Sequence, residues 1–477
     1  MSETPVRIFL TLLMLVVSQF ASAQTQFFTI WPNHPDFSPL PPPNVTGVEV
    51  DYPVVVNVRN IVTNGATRAS YSVRMEDGSD LLFTLHRFID VSGFIALGST
   101  DIQPDPNQPD SALSYTWYGL SDRKSLIVTV YQGVISATLI TDNKHYVITT
   151  KTGGGQYVFR RYNPAAIPLD VATPGQAITD AELEKIEATK LTPKFFDPIK
   201  LLVLHTPSTL AAAGSQAQLN ANIAEMFAQS DTAITNSNVT SFRLVNVSTS
   251  GNLSTQINYS ETNTPPPGCL LGPGLCRWVG HRAFLRTDPT VQSIRNSTGA
   301  DLVVMILADQ LDAAGVAYTQ RPNCGVDNDA GENIPGCTVG AGYNNFAVAA
   351  VSLSFATSFQ VFAHETGHQM GMEHNPENGP PAPVASFVWS FGHYVSGVNE
   401  TIMSLRGATG FCTSPCPRAF HYSNPNVNFI NTSTPSGLVG RYNARTAAAL
   451  APAVSEFRNP VLTGLLFRSG FESLPIP

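Results

Sequence analysis

The stretch from Val361 to Asn375 reads V-F-A-H-E-T-G-H-Q-M-G-M-E-H-N, and the rest of the chain is understood from it. On a helix, residues four apart share a face, so His364 and His368 point the same way. Two imidazoles so placed hold one metal ion. Glu365 lies beside them, off the spacing of a third ligand, where it can take a proton from metal-bound water. Gly371 ends the helix with positive φ, and the returning chain brings His374 to the third ligand position. Three neutral nitrogen ligands with one open position describe a catalytic zinc site, not a structural one. An HExxH string alone arises by chance in unrelated helices. The longer HExxHxxGxxH pattern rarely does.

Outside this stretch, the composition sets bounds. The chain has 477 residues, 43% hydrophobic and only 13% charged, with a net charge of −8. That length predicts two or three domains with a sizeable core. The low charge excludes general disorder, and no basic excess exists to neutralise phosphates, so nucleic acid is not expected as a partner. Residues 1–23 read as a secretory signal: Arg7, an apolar run from Ile8 to Val17, then Ala21-Ser22-Ala23 before a cut at Gln24. No other stretch is long and apolar enough to span a bilayer, so a soluble, exported product without membrane attachment is expected. Six cysteines, all in the second half, agree with export. They fall into near neighbours, which favours Cys269–Cys276, Cys324–Cys337 and Cys412–Cys416, although spacing alone does not fix the pairing.

In chain order, 24–46 is Pro-rich and extended. From Val48 to Tyr162 the pattern is of strands, among them Val54–Val58, Ser70–Met75, Leu81–Leu85, Leu126–Val130, Val134–Ile140 and Tyr146–Thr150. This is a small antiparallel β domain without a catalytic cluster. A connector follows, with a short helix capped at Thr179. A second domain opens with a buried strand at Ile199–His205 and a helix from Gly214 to Thr235 whose apolar side carries Leu219, Ile223, Met226 and Phe227. Further strands are expected at Phe242–Val247, Asp301–Ala308 and Asn345–Ser352, the last toward a sheet edge. Ser260–Arg282 reads as a loop and Pro289–Ser297 as a short helix. The metal helix runs from Thr357 to Met370. Strands alternating with helices predict an α/β (α+β) mixed sheet with the metal helix packed across it.

With Thr401-Ile402-Met403-Ser404 downstream of the third histidine, the chain resembles the metzincin peptidases. It is similar in particular to the reprolysin-like (adamalysin-like) branch and to bacterial peptidyl-Asp metallopeptidases. The resemblance covers about 195–458 and includes His421-Tyr422-Ser423-Asn424-Pro425 and a closing helix Gly440–Phe457. It implies a zinc endopeptidase in which Met403 forms the apolar floor of a Met-turn, and in which the β domain is a propeptide. The implied organisation is a signal at 1–23, a propeptide with linker at 24–193, a catalytic domain at 194–460 and a tail at 461–477. Two positions depart from the relatives: Asn375 replaces the Asp usual after the third histidine, and Leu405 replaces the tyrosine ligand of other branches. The β domain has no cysteine, so a thiol latch is excluded.

Specificity is read from Arg406 and Arg418, which follow the Met-turn where metzincins line S1′. A cation there favours an acidic P1′ residue, while a solvated surface arginine is the ordinary alternative. Asp327, Asp329 and Glu332 offer oxygens to calcium but lack EF-hand spacing, so a polar turn is the ordinary reading. The expected partners are protein or peptide substrates, and the oligomeric state is not legible. The other function class is a zinc-stabilised secreted binding or adhesion protein with the same fold. Glu365, Gly371 and Met403 together favour the enzyme, because a binding module has no chemical need of that glutamate.

Overall fold

The structure is a computed structural model. It describes residues 25–458 except 31–46, 57–67, 88–114, 122–123, 143, 151–155, 164–196, 249–251, 263–267, 272, 309–312, 328–331, 380–383 and 406–415. The expected signal, connector helix and tail lie outside the described residues.

Nine strands form the first unit: β1 (Thr25–Ile30), β2 (Val48–Val56), β3 (Arg68–Arg74), β4 (Asp80–Arg87), β5 (Tyr115–Ser121), β6 (Lys124–Tyr131), β7 (Val134–Ile140), β8 (His145–Thr150) and β9 (Tyr157–Tyr162). They close into a barrel in the order β1-β2-β9-β8-β7-β6-β5-β4-β3. All neighbours are antiparallel except β1 and β3, which run parallel and complete the closure. The β6–β7 hairpin turns on Gln132 and Gly133, both with positive φ, the twist that two-residue hairpins need. Leu126, Val128 and Val130 of β6 and Ile135, Ala137 and Leu139 of β7 fill the barrel with Trp117, Phe83 and Phe159. The alternate residues Ile127, Thr129, Ser136, Thr138 and Ile140 face outward, yet they are buried as well. The second unit covers them.

That unit is a mixed α/β fold. Its main sheet comprises β10 (Asp197–His205), β11 (Phe242–Asn246), β12 (Thr255–Gln256), β13 (Leu302–Leu307), β14 (Gly315–Ala317) and β17 (Val348–Ser352), with β15 (Val326–Asp327) and β16 (Glu332–Asn333) forming a separate ladder. The order is β11-β10-β13-β17-β14, and only β14 is antiparallel. The strand expected at the edge is therefore interior: β17 pairs with β13 on one side and β14 on the other. The edge is the three-residue β14, too short for sequence periodicity to register.

Helices α1 (Pro207–Ala213) and α2 (Gln216–Asn236) follow β10. Ser215 caps α2 by accepting from Gln218 N at 3.1 Å. From Gln218 to Ile234 every residue of α2 is buried, because the barrel packs on one side and the metal helix on the other. The expected loop at Ser260–Arg282 instead contains α3 (Pro273–Thr287). Its Pro, Gly and Cys content reads as loop, but Trp278 and Val279 are buried in the core. Next come α4 (Pro289–Thr298), a short α5 (Leu353–Ala356), α6 (Val361–Gln369) and α7 (Asn443–Val454). β18 (Tyr394–Val395) and β19 (Asn399–Glu400) form a two-stranded antiparallel ladder. Cys269–Cys276 and Cys324–Cys337 are disulfides. Cys416 is also disulfide-bonded, and Cys412 lies outside the described residues. No helix among the described residues is long and apolar enough to cross a membrane.

Candidate active site

Helix α6 carries His364 and His368 on one face. Gly371, at φ 79°, then reverses the chain. A side chain there would be strained by φ and would collide with Leu450 and Ser386, so glycine is required twice over. Past this turn His374 returns. Its Nε2 lies 3.1 Å from Nε2 of His364 and 3.0 Å from Nε2 of His368. All three rings are buried.

The opposite ring nitrogens explain what this cluster needs. His364 Nδ1 donates to Ile402 O at 2.8 Å, and His368 Nδ1 donates to Met372 O at 2.8 Å. Thr319 Oγ1 lies 3.2 Å from the same His368 nitrogen. A carbonyl only accepts, so each Nδ1 holds the proton and each Nε2 presents a lone pair. Three nitrogens so gathered repel one another unless a cation lies between them. Ligand nitrogens about 2.0–2.1 Å from a tetrahedral zinc ion are about 3.3 Å apart, close to the spacing here. The donor set fits zinc. Among the described residues this is the one group of three or more such side chains gathered closely enough to hold a metal.

Two glycines missed in the sequence shape the surroundings. A Cβ on Gly315 of β14 would stand 2.5 Å from Glu365 Oε1, so the edge strand lies directly against the carboxylate. A Cβ on Gly367, between the two helical histidines, would strike Met403 Sδ. Met403 is fully buried beneath α6. Its turn is closed by Ser404 N donating to Thr401 O at 3.0 Å, and Ile402 O in the same turn orients His364. Asn375 Oδ1 accepts from Leu405 N at 3.0 Å, tying the third-histidine loop to this turn.

Arg418 has a different place from the expected S1′ wall. It is buried; Nε donates to Glu400 Oε1 at 3.2 Å, Nη1 to Phe359 O at 3.0 Å, and Nη2 to Ser404 O at 2.6 Å. Its charge is balanced by Glu400 inside the fold, so it braces the Met403 turn against the segment leading into α6. Arg406 lies outside the described residues. His393 and His421 are not part of the cluster. Burial pushes the pKa of each down to about 4, with the Arg441 charge adding to the effect at His393. Asp327 and Glu332 pair across the β15–β16 ladder, and Asp329 lies outside the described residues.

The family model and the sequence relatives are consistent with this geometry. A family model for metallopeptidase family M12 (Reprolysin_5) matches residues 198–408. A peptidyl-Asp metalloendopeptidase of Pseudomonas aeruginosa is 26% identical over 301 residues, covering 61% of this chain and 45% of that protein. One from Stenotrophomonas maltophilia is 24% identical over 335 residues, covering 67% of this chain and 68% of the relative. The chain thus spans about half the length of the first of these relatives. The crystal structure of metalloproteinase-II from Bacteroides fragilis aligns with 68% of this chain and 88% of its own, at 12% identity and a TM-score of 0.32. The family match and these relatives, read beside three convergent histidines, make residues 198–408 similar to bacterial metzincin-like zinc metallopeptidases.

Proposed function

We propose that the chain is a secreted zinc endopeptidase, made with a propeptide at 24–193, in which His364, His368 and His374 hold one zinc ion and Glu365 is the general base. The observation that carries this is the convergence of three histidine Nε2 atoms beside a buried glutamate. Bound zinc supplies a Lewis acid and a water whose pKa falls toward ~7. Glu365 takes the proton of that water and later delivers it to the leaving amine nitrogen. Gly315 leaves the carboxylate the room to do so.

The substrate strand is expected along β14, not β17. Ser352 N donates to Ala314 O, so alternation turns the N–H and C=O groups of Gly315 and Ala317 away from β17. A peptide pairing there is brought beside Glu365. Arg282 Nη1 donates to Ala317 O at 3.0 Å, which leaves Gly315 as the nearer pairing position.

We also infer a preference for acidic residues at P1′. Support comes from the peptidyl-Asp activity named for the relatives and from Arg406 just after the Met403 turn. Arg418 no longer supports it. Cleavage profiling on a peptide library tests both parts. Chelator-sensitive cuts before Asp or Glu are expected. Cuts without acidic bias overturn the specificity, and no chelator-sensitive cleavage at all favours the binding-protein alternative.

A further inference from the structure

The barrel meets the catalytic unit on α2, behind the metal helix, and the meeting surface is unusually polar. Gln218, Asn222, Glu225 and Gln229 recur along one helical face and are all buried. Gln218 Nε2 donates to Ile135 O at 3.1 Å and to Asn222 Oδ1 at 2.9 Å. Gln229 Nε2 donates to Glu225 Oε1 at 3.1 Å and to Thr138 Oγ1 at 3.2 Å. Ser136 Oγ of β7 bonds Glu225 Oε2. Apolar contacts flank this ladder: Ile127 and Ile140 cluster with Ala228 and Phe420, and Phe359 lies between His145 and Tyr162.

Glu225 is the anomaly. It is a fully buried carboxyl group whose partners are all neutral. β7 turns Ser136 and Thr138 toward it, and the outward faces of β6 and β8 carry Thr129, Tyr131 and His145. His145 Nδ1 donates to Ser358 O at 2.7 Å. The nearby acid on α2, Asp231, is paired with Arg243 at 2.8 Å. The metal helix approaches α2 through Phe362 against Phe227. A buried carboxylate without a cation is costly, whereas a protonated carboxyl group is well satisfied among hydroxyls and amides.

We propose that this face of α2 is a proton-dependent docking surface for the chain's own barrel, with protonated Glu225 as the latch that holds the barrel and ionised Glu225 as the state that releases it. The proposal rests on the reading of 24–193 as a removable propeptide. Burial raises the pKa of Glu225 to about 7, with the hydrogen bonds from Ser136, Thr138 and Gln229 opposing the rise. In the released unit the group returns to the ordinary range near 4.5. The docked state therefore binds the extra proton. Its advantage is complete below pH ~4.5, falls as pH rises, and is gone above ~7. A shift of this size weakens docking by on the order of a hundredfold between pH 4.5 and 8.

The test uses the full chain carrying Glu365→Gln, to prevent self-digestion, and one engineered protease site between residues 164 and 196. After cutting, barrel dissociation is measured by analytical ultracentrifugation from pH 4.5 to 8. The nicked protein is expected to lose the barrel progressively as pH rises. Glu225→Gln, which mimics the protonated acid, should hold the barrel with less than about threefold change over the same range. Glu225→Asp should keep the pH slope, because it keeps the titrating group. The latch is overturned if Glu225→Gln keeps the slope or Glu225→Asp loses it, while barrel release as such still supports the propeptide reading. If the nicked wild-type chain cleaves peptides with the barrel attached at every pH, both the latch and the propeptide reading fall.

Discussion

Two buried polar clusters lie on the two sides of α2, and they are satisfied by opposite means. On one side His364 and His368 fix their Nδ1 protons on carbonyls, and their Nε2 atoms meet that of His374 at one point. That arrangement needs a divalent cation. On the other side Glu225 lies among hydroxyls and amides with no cation near it, and that arrangement needs a proton. Burial is common to both, so burial does not by itself identify a catalytic group. What distinguishes them is whether the neighbours have already decided where the protons sit.

The comparison breaks first on metal removal. A chelator is expected to abolish peptide cleavage, zinc to restore it, and barrel docking to stay unchanged; a barrel that detaches with the zinc would show that the clusters are not independent. Glu365→Gln comes next, with kcat lower by on the order of 10³-fold and zinc content intact by elemental analysis. Normal turnover in that variant would remove the base assignment. Gly315→Ala pushes a methyl group into the carboxylate, and a loss on the order of a hundredfold in kcat is expected, again with zinc retained. Arg418→Met leaves Glu400 buried without its cation and should destabilise the fold by about 3–5 kcal/mol, read in thermal or denaturant unfolding. Met403→Leu, which keeps volume and polarity, should cost under about 1.5 kcal/mol and leave zinc bound. A large loss of zinc in that variant would give the sulfur a role beyond packing.

The convergence of the three histidines was legible because its geometry is local. Two histidines one turn apart, a glycine and a third histidine three residues on define a face and a reversal without reference to the rest of the chain. The long strand at Leu302–Leu307 was legible for the same reason, as an unbroken apolar run. Edge position was not legible. β14 is only Gly315–Ala317, and nothing in Val348–Ser352 says that a later-paired strand lies outside it. Helix α3 was hidden by the Pro, Gly and Cys residues at its start. Arg418 read as a pocket-lining or solvated cation because its partners, Glu400, Phe359 O and Ser404 O, come from separate segments. The polar face of α2 carries no local mark of burial, since its partner strand lies more than eighty residues upstream. Barrel closure by a parallel β1–β3 contact is non-local in the same way.

Helix α2, enclosed from Gln218 to Ile234, also bears on how the chain acquires its structure. The barrel is complete at Tyr162, while α2 begins at Gln216. In order of synthesis, the strands that receive Gln218, Glu225 and Gln229 precede those residues. The histidines of the metal site lie later still in the chain, after both the barrel and α2.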